Sequence, residues 1–244
     1  MMAAVKGWLQ SKQKLIAAKN KDYYPVIMEE LRPLVGADTR LLEVGCWEGQ
    51  SIRHYQQLLP LENIRGIDCF PEAVSLCQSQ GIDARRCDLE KDPLPFADGF
   101  FEVVIANQVF EHLKNIYGAI SEIHRVLQPE GHLLIGVPNL SSLHNRLLIA
   151  LGRQPTCMQM FDDHVRGFTP QAFSNFLTFN DLFRVIRFTG LGFYPFVPPV
   201  STFLSRIFPR STVIMLLLLQ KNPQAANRPL WIDEARRVVK QTNL

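Results

Sequence analysis

One stretch constrains this chain more than any other: Leu41-Leu42-Glu43-Val44-Gly45-Cys46-Trp47-Glu48-Gly49, an apolar run that closes on an acid and opens into a glycine turn. A helical pattern begins directly after it, at Gln50 to Leu59. Glycines at such a strand–helix junction accept positive φ and let the backbone approach a ligand with no Cβ in the way. The next apolar run, Ile64-Arg65-Gly66-Ile67, ends on Asp68. Two successive strands thus carry an acid to their C-terminal ends, where open α/β sheets bind ligands. This pattern predicts a pocket for a nucleoside-type cofactor.

The same rhythm continues to about residue 137. Strands are predicted at 40–44, 63–67, 84–87, 101–106 and 131–137, and helices at 50–59, 71–79 and 115–127. Pro71 suits a first helical turn, and Pro129-Glu130-Gly131 is a turn signal before the next strand. Alternating βα units of this length imply a Rossmann-like, doubly wound, mainly parallel sheet. Beyond Pro138-Asn139 the rhythm breaks. Residues 140–168 form a longer excursion, with a helix at Ser142 to Leu151, that is read as a lid or substrate-binding insertion. Thr169 is placed as the N-cap of a helix starting at Pro170. Strands near 183–189 and 212–220 flank the Pro- and Phe-rich segment 193–210, with the last strand of a seven-stranded sheet expected to be antiparallel. The expected organisation is one domain over 1–222, with amphipathic helices over 1–36. A polar linker and a helix from Trp231 to Gln241 fill 223–244.

With 244 residues, 47% hydrophobic and 20% charged, the chain has the composition of an ordinary globular domain. No run approaches a membrane span, and the lysine-bearing start lacks the apolar core of a signal peptide. Five scattered cysteines, 46, 69, 77, 87 and 157, show no metal-type pairing and fit a reducing cytoplasm. The net charge of +3 hides an asymmetry: residues 1–130 hold 18 acids and 14 Lys/Arg, residues 131–244 hold 5 and 12. No acid lies between Asp181 and Asp233. A basic half suits an anionic partner or a solvated face.

A dinucleotide fingerprint would place glycine at 47 and 50, where this chain has Trp47 and Gln50, and the Walker pattern is absent. Glu-x-Gly-x-x-x-Gly, with a second acid closing the following strand, instead resembles the first motif of class I S-adenosylmethionine-dependent methyltransferases. Further motifs extend the resemblance: Cys87-Asp88-Leu89, Pro93 to Val104, Asn107-Gln108-Val109-Phe110-Glu111-His112-Leu113, and Arg125 to Leu133. They are similar to the ubiquinone/menaquinone-type branch, closely over 38–138 and loosely over 160–220. The resemblance implies adenosylmethionine as cofactor. It assigns Glu43 and the loop of Gly45, Cys46, Trp47 and Gly49 to the methionine end, and Asp68 to the ribose hydroxyls. Asp88 and Leu89 would face adenine, with Cys69 and Phe70 flanking the base and Asn107 and Gln108 closing the cofactor site. Trp47 stands where the family usually has glycine; the indole can narrow the pocket, cover the loop or point away.

Displacement at a sulfonium needs an aligned nucleophile, and a hydroxyl or amine acceptor also needs a base. His112, after the fourth strand, is the first candidate, against a reading in which it caps or packs at the next helix. Glu111, a second residue of that turn, is a candidate substrate contact or a helix-start residue. Asp162-Asp163-His164-Val165-Arg166 is a second constellation, in which His164 can act as a base and Arg166 can bind an anionic acceptor. Asn139 is a further candidate substrate contact. No metal is expected, a loop salt-bridge network being favoured over a metal site at these acids.

Segment 193–210 mixes large apolar side chains with arginine and no acid. It suits peripheral contact with an anionic membrane, a wall for a lipid-like substrate, or a crossover packed on the sheet edge. The resulting expectation is methyl transfer to oxygen of a small-molecule acceptor, anionic or lipid- or glycan-linked. A non-catalytic binding module and a nucleic-acid methyltransferase are the alternatives. The latter lacks an Asn/Asp-Pro-Pro-Tyr/Phe motif, and no nucleic-acid partner is expected.

Overall fold

The computed structural model describes residues 24–161 and 163–225. The helices expected before residue 24 and at 231–241, and the side chain of Asp162, lie outside these residues. The described chain runs α1 (Tyr24–Leu31), β1 (Leu41–Val44), α2 (Gln50–Leu58), β2 (Ile64–Asp68), α3 (Pro71–Ser79), β3 (Asp83–Arg86) and β4 (Phe101–Asn107). It continues through α4 (Ile116–Val126), β5 (Leu127–Pro138), α5 (Leu143–Ala150), α6 (Pro170–Leu177), β6 (Phe183–Leu191), α7 (Val200–Ile207) and β7 (Ile214–Lys221). Seven strands form one sheet in the order β3-β2-β1-β4-β5-β7-β6. The β1–β2, β1–β4, β2–β3 and β4–β5 pairs are parallel, and β7 runs antiparallel to both β5 and β6. The strand order reverses at β1 and β4, which places the C-terminal ends of β1, β2 and β4 around one crevice.

Period-two alternation along β1 divides the core. Leu42 and Val44 join Phe101, Phe110, Ile120 and Phe173 on one face, while Leu41 joins Ile27, Leu31, Ile52, Tyr55 and Val74 on the other. Each such fully buried side chain contributes about 1.5–3 kcal/mol. Thr169 caps α6 by accepting a hydrogen bond from the Ala172 N–H at 3.4 Å, and Pro170 occupies the first turn. Helix α1 is fastened to β6 by Glu30, which accepts from Thr189 Oγ1 at 3.1 Å and faces Arg187 at 3.6 Å.

Two local expectations are corrected. The turn at Pro129-Glu130-Gly131 does not precede β5 but is absorbed within it: Phe101 pairs with Leu127 and Val103 with His132, and Glu130 takes φ 63°. Segment 193–210 also contains a helix, α7, that its proline content concealed. Pro199 stands at its N-cap, where a missing N–H costs nothing. Among the described residues no helix is long and apolar enough to cross a membrane.

Candidate active site

The β1–α2 loop is held by its main chain. The Gly45 and Cys46 N–H groups both donate to the Ile67 carbonyl, at 2.9 and 3.0 Å. Gly45 and Gly49 take φ +71° and +74°, conformations that L side chains rarely adopt. At Gly49 a Cβ would also come within 2.4 Å of Ile82 Cδ1, so this glycine admits the close packing of α2. Trp47 is itself left-handed, at φ 46°. That geometry is the physical reason glycine suits the position, and holding tryptophan there stores about 1 kcal/mol of strain. Its indole neither fills the cleft nor leaves it: half-exposed, it meets Phe70 edge-on with centroids 5.4 Å apart.

The Trp47 N–H donates to Asp68 Oδ2 at 2.8 Å, and the Phe70 N–H donates to Oδ1 at 3.0 Å. Asp68 is buried and its carboxylate plane is fixed, yet each oxygen keeps acceptor capacity for a pair of hydroxyls. Glu43 lies behind the loop, buried, and accepts from Ser51 Oγ at 2.6 Å. Burial pushes its carboxyl up to about 8, against the Ser51 hydrogen bond and with help from the Asp68 charge. Ser51 was not singled out in the sequence; its signal is its place one residue into α2, facing back on the strand acid.

A cleft of about 690 Å³ opens in front of this loop. Its lining includes Gly45, Trp47, Asp68, Cys69, Phe70, Asp88, Leu89, Gln108, Val109, His112, Leu113 and Asp163. Asp88 is held as a carboxylate: Lys91 Nζ donates to Oδ2 at 2.6 Å and the Glu90 N–H to Oδ1 at 3.0 Å, and the lysine holds its pKa below the ordinary range. Gln108 follows β4 at φ 57°, its N–H donating to the Gly136 carbonyl at 2.8 Å. Its Nε2 is buried and has no hydrogen-bond partner among the described residues, so a donor stands ready at the cleft.

The far wall is a short turn of 3-10 helix, Phe110–His112. His112 Nδ1 lies 3.2 Å from the Asp163 carbonyl, and His164 Nδ1 lies 2.9 Å from the Cys157 carbonyl. A carbonyl only accepts, so both Nδ1 atoms carry a proton, and in the neutral tautomer Nε2 is the basic nitrogen. The two rings meet edge to face at 4.8 Å.

Residues 42–135 match the family model described as a methyltransferase domain. Over these residues the chain is similar to S-adenosylmethionine-dependent methyltransferases. Over 101 residues it is 34% identical to a phthiotriol/phenolphthiotriol dimycocerosates methyltransferase of Mycobacterium leprae, covering 38% of this chain and 36% of that protein. Over 124 residues it is 29% identical to a malonyl-[acyl-carrier protein] O-methyltransferase of Legionella pneumophila, covering 49% and 43%. The matched stretch thus spans less than half the length of these curated relatives. In fold, the chain is similar to an S-adenosylmethionine-dependent methyltransferase from Mesorhizobium loti, with a TM-score of 0.57 at 15% identity, covering 82% of this chain and 97% of that one.

The predicted site residues do not all converge. Gly45, Trp47, Asp68, Cys69, Asp88, Leu89, Gln108 and His112 line the cleft. Cys46 turns its thiol toward the core, where a Cβ on Gly66 would lie 2.6 Å from its Sγ, so only its main chain serves the loop. Asn107 is set behind the cleft against Gly136, where a Cβ would come within 2.3 Å of Asn107 Oδ1. Glu111, read as an exposed helix-start residue or substrate contact, is buried, and its carbonyl accepts the Val165 and Arg166 N–H groups at 2.8 and 3.1 Å. Arg166, read as an anion ligand, donates from Nε to the Leu113 carbonyl at 3.1 Å and from a terminal nitrogen to the Lys114 carbonyl at 2.6 Å. Asn139, read as a substrate contact, is fully buried; its Nδ2 donates to the Arg210 and Thr212 carbonyls at 3.0 and 2.8 Å. Arg166 thereby fastens the cleft wall at Leu113, and Asn139 ties the end of β5 to the segment before β7. Glu111, His112 and His164 each offer one ligand atom within 4.8 Å of the others, a donor set chemically suited to a divalent ion.

Proposed function

We propose that this methyltransferase moves a methyl group from adenosylmethionine to an oxygen of a small, anionic acceptor carried on a lipid or glycan. The observation that supports it best is the Asp68 carboxylate, fixed by two main-chain donors in a cleft that runs on to His112. The residues fit the cofactor: Asp68 retains acceptor capacity for the ribose, Asp88 and Leu89 lie beside it for adenine, and Gln108 offers an unspent donor. Glu43, buried behind the loop on Ser51, is given the methionine end by the family resemblance. Bound there, adenosylmethionine would supply a sulfonium-activated methyl, the sulfur leaving as the thioether of adenosylhomocysteine when the acceptor oxygen takes the carbon. His112 takes the acceptor's proton on Nε2, with Nδ1 held by the Asp163 carbonyl. His164 positions that imidazole edge-on.

The reading uses no metal and no nucleic acid. Oxygen is favoured by the name of one relative, an O-methyltransferase; a base at the cleft wall suits a hydroxyl acceptor. The names of the relatives, one acting on a mycobacterial lipid and one on a carrier-bound malonyl group, support an acceptor tethered to a larger carrier. Five free cysteines support placement in the reducing cytoplasm. We take 1–222 as one domain, with 140–168 as its substrate-side insertion and 223–244 as an appended segment.

The test is transfer of labelled methyl from adenosylmethionine into bacterial lipid and glycan fractions, with Asp68→Ala as the blank. Label released by alkali as methanol, or retained as an ether, marks oxygen. Label on nitrogen would move the acceptor atom. Binding of adenosylhomocysteine without transfer to any fraction would point to a non-catalytic module.

A further inference from the structure

Two helices, α5 and α7, are packed inside out. A surface helix of a globular protein turns its apolar stripe inward. Helix α7 buries Ser201 and Ser205 instead, the Ser201 hydroxyl accepting the Phe193 N–H at 2.7 Å. Its Val200, Phe203 and Ile207, spaced on one helical face, point outward, with Phe203 64% exposed. Helix α5 repeats the inversion: Asn145 is its buried residue, while Leu143, Leu147 and the following Leu151 are exposed, the last two at 59% and 74%.

The two helices form one surface. His144 of α5 packs on Tyr194, in the loop leading to α7, with ring centroids 5.1 Å apart. Asn139, just before α5, bonds to the Arg210 carbonyl just after α7. Exposed arginines accompany the apolar faces, Arg146 and Arg153 on one side and Arg206 and Arg210 on the other. No acid occurs in 131–161 or in 182–232. Apolar side chains ringed by arginine, without carboxylates, match a bilayer interface bearing anionic headgroups. A second copy seated on the same face would set arginine against arginine, which disfavours it.

We infer that the α5–α7 face docks this methyltransferase on an anionic membrane surface, its apolar side chains entering the headgroup boundary. The inference rests on the packing of two helices and not on the identity of the methyl acceptor, so vesicle binding and methyl transfer stand or fall separately.

The test is co-sedimentation of the full chain with vesicles of phosphatidylcholine alone or with one-third phosphatidylglycerol. The expected result is binding to the anionic vesicles, weakened by salt and by Arg206→Glu. Phe203→Glu and Leu147→Glu, on separate helices, should each weaken it by about tenfold or more while leaving adenosylhomocysteine affinity unchanged. Absence of vesicle binding by the wild type would overturn the inference. So would undiminished binding by both variants that retain cofactor affinity, or a dimer dissolved by Phe203→Glu in a chain that ignores vesicles.

Discussion

The imidazoles of His112 and His164 meet edge to face at 4.8 Å, each with Nδ1 turned to a main-chain carbonyl. One ring comes from the turn after β4 and the other from the insertion between β5 and α6. Their meeting closes the cleft wall, joining the adenosylmethionine-class scaffold to the segment most free to vary with the acceptor. Of the pair, His112 lines the cleft, which is why the proposed reaction gives it the proton and gives His164 the task of holding it.

His112→Ala is therefore expected to lower kcat by about 10²–10⁴-fold while adenosylhomocysteine affinity changes by less than about threefold. His164→Ala should cost less turnover and shift the pH profile of kcat, because the partner ring no longer fixes His112. Initial rates with the acceptor found by labelling, beside calorimetric titration, separate these effects. Equal loss of turnover and cofactor affinity in His112→Ala would favour a purely structural histidine.

Chelation offers an independent check on the chemistry. Although Glu111, His112 and His164 stand close enough to attract a divalent ion, the proposed proton transfer needs the Nε2 lone pair free. Dialysis against a chelator should leave turnover unchanged, and added zinc should inhibit by occupying the imidazole. Loss of activity on chelation, restored by a divalent ion, would reassign the triad to metal binding.

The buried acid predicts a pH signature in stability. A free glutamate titrates near 4.5, and burial raises Glu43 to about 8. Between those values the unfolded chain has released a proton that the folded chain retains, so the contribution is full below 4.5 and is lost as pH rises through about 8. Glu43→Gln removes this dependence. Its Tm should gain on the wild type as pH rises from acid to alkaline, by about 10 °C or more across the range. A difference between the two proteins that does not vary with pH would contradict the assignment.

At Trp47 strain and contact pull in opposite directions. Trp47→Gly should leave Tm unchanged or slightly raised, because about 1 kcal/mol of left-handed strain disappears. The same variant should lose the change in tryptophan fluorescence that cofactor binding produces, as Trp47 lines the cleft. A full fluorescence response in Trp47→Gly would move the indole out of the site.

The sequence made the βα alternation through β5 readable because β1, β4 and β5 carry buried apolar runs and glycine or proline marks most of the turns between elements. The loop acids were readable for the same reason: Glu43 and Asp68 end strands, and strand ends face the crevice. Helix α7 was not readable, since its helical spacing belongs to an exposed face and serines fill the inward one. Nor were the roles of Arg166 and Asn139. Their polarity suggested a ligand, whereas main-chain carbonyls more than 50 residues away in sequence use their donors. Long-range partners of this kind leave no local pattern. Trp47 was legible as a departure from glycine, but its φ and its contact with Phe70 required the fold.

Calorimetric titration with adenosylhomocysteine, on the wild type and on Asp68→Ala, tests the central claim most directly. The account predicts one site per chain in the wild type, and in Asp68→Ala a loss of affinity of at least about tenfold with an unchanged fold, the two carboxylate acceptors being gone. No binding by the wild type at millimolar ligand, or equal affinity in both proteins, would contradict it.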